Sequence, residues 1–176
     1  HAYVRRQRQM CIRDRYLMRP TERIREAQRV LEAEAKAIFA SSKKISLNFS
    51  KCIDLIIDCK GTVVISGIGK SGNIGKKITS TLASLGTPSI FLHTSDAFHG
   101  DLGILRRDDL LICISNSGET DELVRLLNYA NRNAIKSIAI TGNINSTISK
   151  EAYVSLNSSV ESEACPLNLA PTCSTS

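Results

Sequence analysis

Three glycines, a lysine and two serines follow a short β-branched run, in the segment Ser66-Gly-Ile-Gly-Lys-Ser-Gly72. Glycine permits tight turns and close backbone approach, so successive backbone N–H groups can face an anion where a helix begins. Lys70 adds a mobile positive charge, and Ser66 and Ser71 add hydroxyl donors. These residue types in this order predict a loop that binds a phosphorylated ligand.

A second polar segment, Ser115-Asn-Ser-Gly-Glu-Thr120, follows another apolar run and precedes a helical pattern. Its hydroxyl and amide groups suit a phosphate monoester at the start of a helix. The alternative is an ordinary helix cap, formed by Ser117 or Thr120, with Glu122 stabilised by the helix dipole. A cap needs one such residue and this segment has several, so we favour the phosphate-binding interpretation.

The first segment also fits the dinucleotide-binding pattern G-x-G-x-x-G. That pattern needs an acidic residue about 20 residues further on, at the end of the next strand. The sequence there reads His93-Thr-Ser95, and Asp96 comes too late. A Walker A loop is excluded because Val64 stands where that motif needs glycine. Two hydroxyl-rich loops on neighbouring strands favour a sugar phosphate over a nucleotide.

Five short apolar runs that do not alternate with polar residues predict strands covered on both faces. The runs lie at 62–66, 88–92, 110–114, 137–141 and 153–156. Helical patterns separate them at 73–85, 121–133 and 145–151, and two more helices come first, at 21–40 with Thr21 as N-cap and at 46–59. This order predicts an α/β fold with a five-stranded, parallel, doubly wound sheet of the flavodoxin-like type and N-terminal helices. Ligands of such sheets bind outside the carboxyl ends of the strands, where both polar segments lie.

The net charge of +6 on the 176-residue chain is concentrated at its beginning. Residues 1–19 hold six arginines and one aspartate, a balance of +5, which leaves the remaining residues at +1. We therefore expect residues 1–19 to be a disordered or non-native basic tail and residues 20–176 to form one domain. Specific nucleic-acid binding is not expected, and any non-specific binding should be lost with the tail.

The six cysteines show neither a C-x-x-C pair nor the cysteine and histidine spacing of a zinc site. This usage favours a reduced, cytoplasmic protein. No apolar run approaches the ~20 residues of a membrane helix, so we expect no membrane association.

Four motifs occur in a fixed order: the segments at 67–72 and 115–119, Ala97-Phe-His-Gly-Asp-Leu-Gly103, and the stretch from Glu163-Ala-Cys-Pro to Thr172. Together they resemble the sugar isomerase (SIS) domain of bacterial arabinose-5-phosphate isomerases, over about residues 21–176. The resemblance implies a SIS fold that interconverts ribulose 5-phosphate and arabinose 5-phosphate for synthesis of the Kdo sugar of lipopolysaccharide. It also implies a homo-oligomer, usually a tetramer, that needs no cofactor.

Residue by residue, the resemblance implies catalytic roles for Lys70, Glu122 and Glu163. The reaction moves a proton between C1 and C2 through an enediol, and the matching does not decide which glutamate takes the proton. Lys70 would stabilise the enediolate or orient the substrate. His93 matches a position that contacts substrate and can bind an inhibitory zinc ion. The residues that we expect to bind substrate are Ser66, Gly67, Gly69, Ser71, Gly86, Thr87, His93, His99, Ser115, Asn116, Ser117, Glu119, Thr120, Thr172, Ser174 and Thr175.

Members of this family carry a further catalytic histidine, a last helix and a pair of CBS domains beyond the position matching Ser176. We therefore expect a C-terminally truncated SIS domain, active as a full-length isomerase but weakly active or inactive as this chain. Two alternatives stay open. One is a regulatory SIS module that binds a sugar phosphate without turning it over, and the other is an enzyme for an amino-sugar or hexulose phosphate.

Overall fold

The computed structural model of the chain describes residues 18–98, 100–165 and 170–176, apart from the side chain of Asp101. It contains one five-stranded sheet, formed by β1 (Val63–Gly67), β2 (Ser89–Phe91), β3 (Leu110–Ser115), β4 (Lys136–Thr141) and β5 (Val154–Asn157). The strand order is β2-β1-β3-β4-β5, and every neighbouring pair is parallel. The prediction of a flavodoxin-like, doubly wound α/β sheet is confirmed.

Helices connect the strands in the predicted alternation. They are α1 (Pro20–Ser42), α2 (Leu47–Ile57), α3 (Gly69–Ser84), α4 (Thr94–Phe98), α5 (Asp121–Arg132) and α6 (Thr147–Glu151), with short 3₁₀ turns at Asp101–Ile104 and Cys173–Thr175. The expected start of α3 near residue 73 was wrong, because the helix already begins at Gly69 within the glycine-rich segment. The helix α4 was not predicted, because five residues are too few to show helical periodicity.

The two faces of the sheet are covered by different helices. Val63, Ile65 and Ile112 pack with α2 and α3, whereas Val64 and Leu111 pack with α4 and α5. Successive residues of a strand point to opposite faces, so a sheet covered on both sides needs continuous apolar runs. This requirement explains why the strands of this sequence do not alternate.

Cys113 on β3 lies entirely inside the core. Burial raises the pKa of its thiol to about 12, so the side chain behaves as a small apolar group, as its place in an apolar run predicts.

The first helix begins earlier than the sequence suggested. Arg19, not Thr21, is the N-cap of α1, and Pro20 takes the first helical position, where a proline costs no hydrogen bond. The backbone N–H of Arg19 donates to a carboxylate oxygen of Glu22 at 2.8 Å. The predicted tail of residues 1–19 therefore overlaps the helix start at Arg19, while its residues 1–17 lie outside the described residues.

Helix α1 is 23 residues long and none of its residues is buried. Its apolar residues Ile24, Leu31 and Ile38 are more than half exposed. None of the helices in the described part of the chain has the length and apolar character that crossing a membrane requires.

Candidate functional site

The carboxyl ends of β1 and β3 are the place where the sheet reverses its winding. Gly67 lies beside Ile114 in the parallel register of these two strands. From here the chain continues from β1 to one edge of the sheet and from β3 to the other. The connections diverge at such a point and leave a crevice in which doubly wound domains bind their ligands. Both polar segments identified in the sequence flank this crevice.

The segment after β1 supplies the start of α3 to the crevice. The N-cap, Ile68, makes no side-chain hydrogen bond to the helix, and Gly69 takes the left-handed conformation, at a φ of +59°. Lys70 is exposed and Ser71 is half-buried, both in the first turn. The first N–H groups of a helix have no partner within the helix, so this uncapped end offers donors and partial positive charge to an anion.

Two glycines of this segment also let α3 lie close to β1. A Cβ on Gly72 would stand only 2.7 Å from the carbonyl oxygen of Gly67. Ser66 is fully buried, and its hydroxyl donates to the carbonyl oxygen of Leu92 at 2.7 Å. The expected role of Ser66 as a substrate-binding hydroxyl is therefore not supported by its position, because the hydroxyl links β1 to the end of β2.

The segment after β3 is held together by its own hydroxyl groups. The buried Ser115 hydroxyl accepts from the backbone N–H of Gly118 at 3.1 Å and lies 2.9 Å from the Thr120 hydroxyl. The Ser117 hydroxyl accepts from the N–H of Glu119 at 3.3 Å. These bonds fix the loop, while Ser117 and its neighbour Asn116 remain exposed to the crevice edge of the sheet.

Glu119 connects this loop to the helix that follows β4. Its Oε1 accepts from the backbone N–H of Thr147, at the start of α6, at 2.9 Å. The hydrogen bonds from Thr147, helped by the charge of Lys150, lower the pKa of the Glu119 carboxyl. Glu119 was expected to bind substrate, but in this structure its carboxylate caps a neighbouring helix.

The start of α5 carries two carboxylates. Asp121 and Glu122 stand in its first turn, both exposed, and the N-cap residue Thr120 makes no side-chain hydrogen bond to the helix. Across the crevice the first turn of α3 carries Lys70 and no acidic residue. The start of α3 is therefore positively charged and the start of α5 negatively charged. Such an arrangement suits acid–base catalysis beside a bound anion.

Glu163 belongs to a turn formed by the end of the chain. Its Oε2 accepts from the Thr172 N–H at 2.7 Å, the Thr172 hydroxyl at 3.0 Å and the Ser174 N–H at 3.3 Å. Partial burial raises the pKa of this carboxyl, but the hydrogen bonds from Ser174 and Thr172 outweigh burial and lower it. Thr175 extends the turn by donating its hydroxyl to the Thr172 carbonyl at 3.1 Å. Glu163 is therefore ionised at neutral pH, with Oε2 already occupied.

His93 lies just after β2, on the same edge of the sheet as the two loops. Its Nδ1 accepts from the Ser95 N–H at 3.3 Å. Its role as a substrate contact or zinc-binding residue stays a prediction, and in the described part of the chain no group of three or more candidate ligands surrounds a metal position. His99, the other predicted histidine, lies outside the described residues.

Gly86 and Thr87 lie at the opposite edge of the sheet. They end α3, where Gly86 has a φ of +90°, and lead into β2 beside Val63, at the amino end of β1. Five strand residues, or roughly 16 Å at about 3.3 Å each, separate that level from the crevice. A single chain therefore does not bring Gly86 and Thr87 to the other predicted site residues.

Two buried hydroxyls near the crevice edge were not identified from the sequence. Thr94 begins α4 and Ser146 precedes α6, and neither hydroxyl has a hydrogen-bond partner among the described residues. A Cβ on Gly118 would stand 2.0 Å from the Ser146 hydroxyl, so Ser146 lies directly beneath the second polar loop. Neither residue lies in one of the four motifs recognised in the sequence.

A cavity of about 630 Å³ lies at the amino edge of the sheet, away from the crevice. Asp109 lines it, but both of its carboxylate oxygens accept backbone N–H bonds, from Thr62 and Arg106, each at 2.7 Å. The carboxylate thus holds two loops together. We place the functional site at the carboxyl edge, where two helix starts and their polar loops meet.

The fold and the crevice define an open, doubly wound α/β domain with its ligand site between β1 and β3. Residues 55–176 match the family model described as the SIS domain. The chain therefore belongs to the SIS-domain family.

Several curated relatives are close in sequence. The chain is 49% identical over 152 residues to the arabinose 5-phosphate isomerase KdsD of Pseudomonas aeruginosa, covering 86% of this chain and 47% of the relative. It is 48% identical over 157 residues to the arabinose 5-phosphate isomerase KpsF of Escherichia coli O6:H1, with the same shares covered. The chain thus spans about half the length of the curated relatives that it matches.

The chain matches solved structures over a larger share of their length than it does the curated relatives. The c3406 protein of E. coli CFT073, solved in complex with arabinose 5-phosphate, has a TM-score of 0.85 and 38% identity. The match covers 90% of this chain and 84% of that one. A protein from Listeria monocytogenes has a TM-score of 0.87 and 34% identity, with 90% and 83% covered. The SIS fold is confirmed by these similarities.

Proposed function

We propose that this chain is the sugar-isomerase domain of an arabinose 5-phosphate isomerase, which interconverts D-arabinose 5-phosphate and D-ribulose 5-phosphate. The proposal rests on one structural observation. Helices α3 and α5 follow the adjacent strands β1 and β3, and both begin beside the crevice without a side-chain hydrogen bond at the N-cap. Two such helix starts suit one phosphorylated ligand. The curated isomerases at 48–49% identity and the relative solved with arabinose 5-phosphate support the choice of sugar.

Within the crevice, the loop at 115–120 is the proposed phosphate site. Its backbone is fixed by the Ser115 hydroxyl, and Asn116 and Ser117 are exposed to a ligand. The acidic residues of α5 would repel a phosphate placed further along the helix, so the anion belongs on the loop itself. Lys70 then faces the negative charge that develops on the enediolate.

Glu122 and Glu163 are the proposed proton-transferring carboxylates. Glu122 is exposed at the start of α5, and Glu163 is kept ionised by Thr172 and Ser174. An ionised carboxylate can accept a proton from C1 or C2, which is the step that isomerisation requires. The turn that holds Glu163 contacts α3, the helix that carries Lys70.

The test measures deuterium incorporation when a full-length version of the protein, which contains this domain, is incubated with D-arabinose 5-phosphate in D₂O. An isomerase that works through an enediol introduces deuterium at C1 of the D-ribulose 5-phosphate formed and at C2 of the D-arabinose 5-phosphate that re-forms, and NMR detects even slow incorporation. Lys70→Ala, Glu122→Gln and Glu163→Gln should each reduce the rate, by at least roughly 10²-fold for the residue that transfers the proton. Lys77→Ala is the matched control, because Lys77 is exposed two turns further along α3.

The same experiment separates the alternatives. A regulatory SIS module would bind D-arabinose 5-phosphate with no deuterium incorporation, and both glutamate variants would bind as the wild type does. An enzyme for another sugar would prefer a hexulose or amino-sugar phosphate in a substrate panel. Either result would contradict the proposed activity.

We further propose the cellular setting that the resemblance implies: a cytoplasmic homotetramer whose product feeds synthesis of the Kdo sugar of lipopolysaccharide. The exposed apolar residues along α1 support self-association, since a monomer would leave them in water. The KdsD and KpsF relatives support the arabinose 5-phosphate assignment on which this pathway depends.

A further inference from the structure

Helix α1 and most of α2 precede residue 55, where the match to the SIS domain begins. Helix α1 has no buried residue, yet it lies against the 3₁₀ turn at Cys173–Thr175. That turn is the one whose Thr172 and Ser174 hold Glu163. An element outside the SIS match therefore touches the turn that holds a proposed catalytic carboxylate.

One side chain of α1 makes the connection. The Arg29 guanidinium donates to the backbone carbonyl of Ala164 at 2.6 Å. The same guanidinium makes two hydrogen bonds to the Glu26 carboxylate, at 2.8 and 2.7 Å, which fix its direction on the helix. A bidentate pair of this kind holds the planar guanidinium in one orientation. The second N–H of the same Nη2 then points at the carbonyl of the residue next to Glu163.

The contact continues into the turn through backbone and hydroxyl groups. Ala164 is buried, and its N–H donates to the Thr172 hydroxyl at 2.8 Å. That hydroxyl in turn donates to Oε2 of Glu163 at 3.0 Å. Arg29 therefore binds the carbonyl of a residue whose own N–H is two hydrogen bonds away from the carboxylate.

A second contact attaches the same region to the end of α1. The Lys44 ammonium group donates to the Ser159 hydroxyl at 2.8 Å and to the Ser159 carbonyl. The segment that leaves β5 toward Glu163 is thus held at Ser159 and at Ala164, both times by a cation from the region of α1. Two attachments fix the direction of a short segment better than one.

We propose that Arg29 is a positioning residue for the isomerase site, holding Ala164 by its carbonyl so that Thr172 and Ser174 keep Glu163 in place. The inference rests on the proposed function, because it takes Glu163 as a catalytic carboxylate. It assigns to α1 a role in the reaction as well as in assembly.

The first test needs no enzyme activity. Hydrogen exchange of the Thr172 and Ser174 amides is compared in the wild-type chain, Arg29→Ala and the control Arg25→Ala. Arg25 is exposed on the same helix. Arg29→Ala should raise exchange at these two amides roughly tenfold, the effect expected when a charge-assisted hydrogen bond is lost, and leave β3 unchanged. Unchanged exchange at both amides would overturn the proposal.

The second test measures the kinetics of isomerisation by a full-length version of the protein. Arg29→Ala should lower kcat roughly ten- to a hundredfold and leave KM for D-arabinose 5-phosphate near the wild-type value, because the phosphate loop is not touched. The acidic limb of the kcat profile should move to higher pH, because Glu163 loses donors that stabilise its charge. Arg29→Lys should restore part of kcat.

The two tests separate the failure of each proposal. If the full-length wild type does not isomerise the sugar while the exchange result is obtained, the proposed function fails and the attachment of α1 to the Glu163 turn stands. If the full-length wild type is active and Arg29→Ala changes KM alone, or changes kcat no more than Arg25→Ala does, the positioning role is wrong.

Discussion

Several polar side chains that the sequence suggested as ligand contacts are hydrogen-bonded within the protein. Ser66 binds the carbonyl of Leu92, Ser115 binds the N–H of Gly118, and Glu119 binds the N–H of Thr147. Such bonds fix the shape of a binding loop before the ligand arrives, which lowers the cost of ordering it. Residue type alone therefore does not separate a group that binds substrate from one that shapes the loop.

Glu119 offers a test of this distinction through pH. Its pKa is lowered in the folded chain by the hydrogen bonds from Thr147. The stability contributed by the carboxylate is therefore present above its unfolded pKa and is lost as the pH falls through the folded value. Glu119→Ala should lower Tm at pH 7, and the difference from wild type should shrink as the pH falls below the ordinary glutamate pKa of about 4.3 and disappear once the pH is below the folded value.

Glu32→Ala serves as the control for this measurement, because Glu32 is exposed on α1, far along the chain from the loop. It should leave Tm unchanged at both pH values. A Tm difference for Glu119→Ala that persists unchanged at low pH would show that the lost carboxylate charge is not the cause.

At the scale of elements, the glycine-rich segment serves both packing and binding. Helix α3 begins at Gly69 and presents Gly72 and Gly75 to the sheet. A Cβ on Gly75 would stand 2.9 Å from the ring of Phe91, and one on Gly72 would meet the Gly67 backbone. The close approach of α3 to β1 places the uncapped start of the helix at the crevice.

The substitution Gly72→Ala measures the importance of this approach. Alanine should add about 1 kcal/mol of helix propensity, but its Cβ would lie 2.7 Å from a backbone oxygen that cannot rotate away. Overpacking of this kind costs about 1–3 kcal/mol, so we expect a net loss of up to about 2 kcal/mol in urea unfolding. Gly103→Ala should be nearly neutral, since nothing lies within 4 Å of its Cβ position. Equal stability of the two variants would contradict close packing at Gly72.

The sequence predicted the strands well and the helix starts less well. The strands are continuous apolar runs whose character is visible locally, whereas the start of α3 depends on tertiary packing that makes Gly69 and Gly72 acceptable in a helix. The site shows the same division. The two polar loops could be placed on one edge from the order of strands, but the bonds from Thr172 and Ser174 to Glu163 join residues that are 9 and 11 positions apart in the sequence. The opposite placement of Gly86 and Thr87 follows from the direction of α3, which a residue-by-residue match does not show.

At the scale of the whole molecule, α1 presents an apolar stripe to solvent. Ile24, Leu31 and Ile38 recur every seven residues and are 59%, 65% and 55% exposed. Apolar residues at this spacing lie on one face of a helix and are typical of a helix–helix seam. On another side of α1, Arg29 donates to the carbonyl of Ala164. One helix would therefore link the assembly to the turn that holds Glu163.

The oligomer that we propose can therefore be tested on this stripe. We expect the wild-type chain to sediment as a tetramer and Leu31→Glu to sediment as a smaller species, because a buried charge at the centre of the seam would be unpaired. Arg25→Glu adds a negative charge on the charged side of the same helix and should leave sedimentation unchanged. Leu31 is exposed in the single chain, so its replacement should not unfold the domain, and far-UV circular dichroism checks this. A monomeric wild type would refute the tetramer itself. A Leu31→Glu variant that sediments as wild type would show that the subunits associate through another surface.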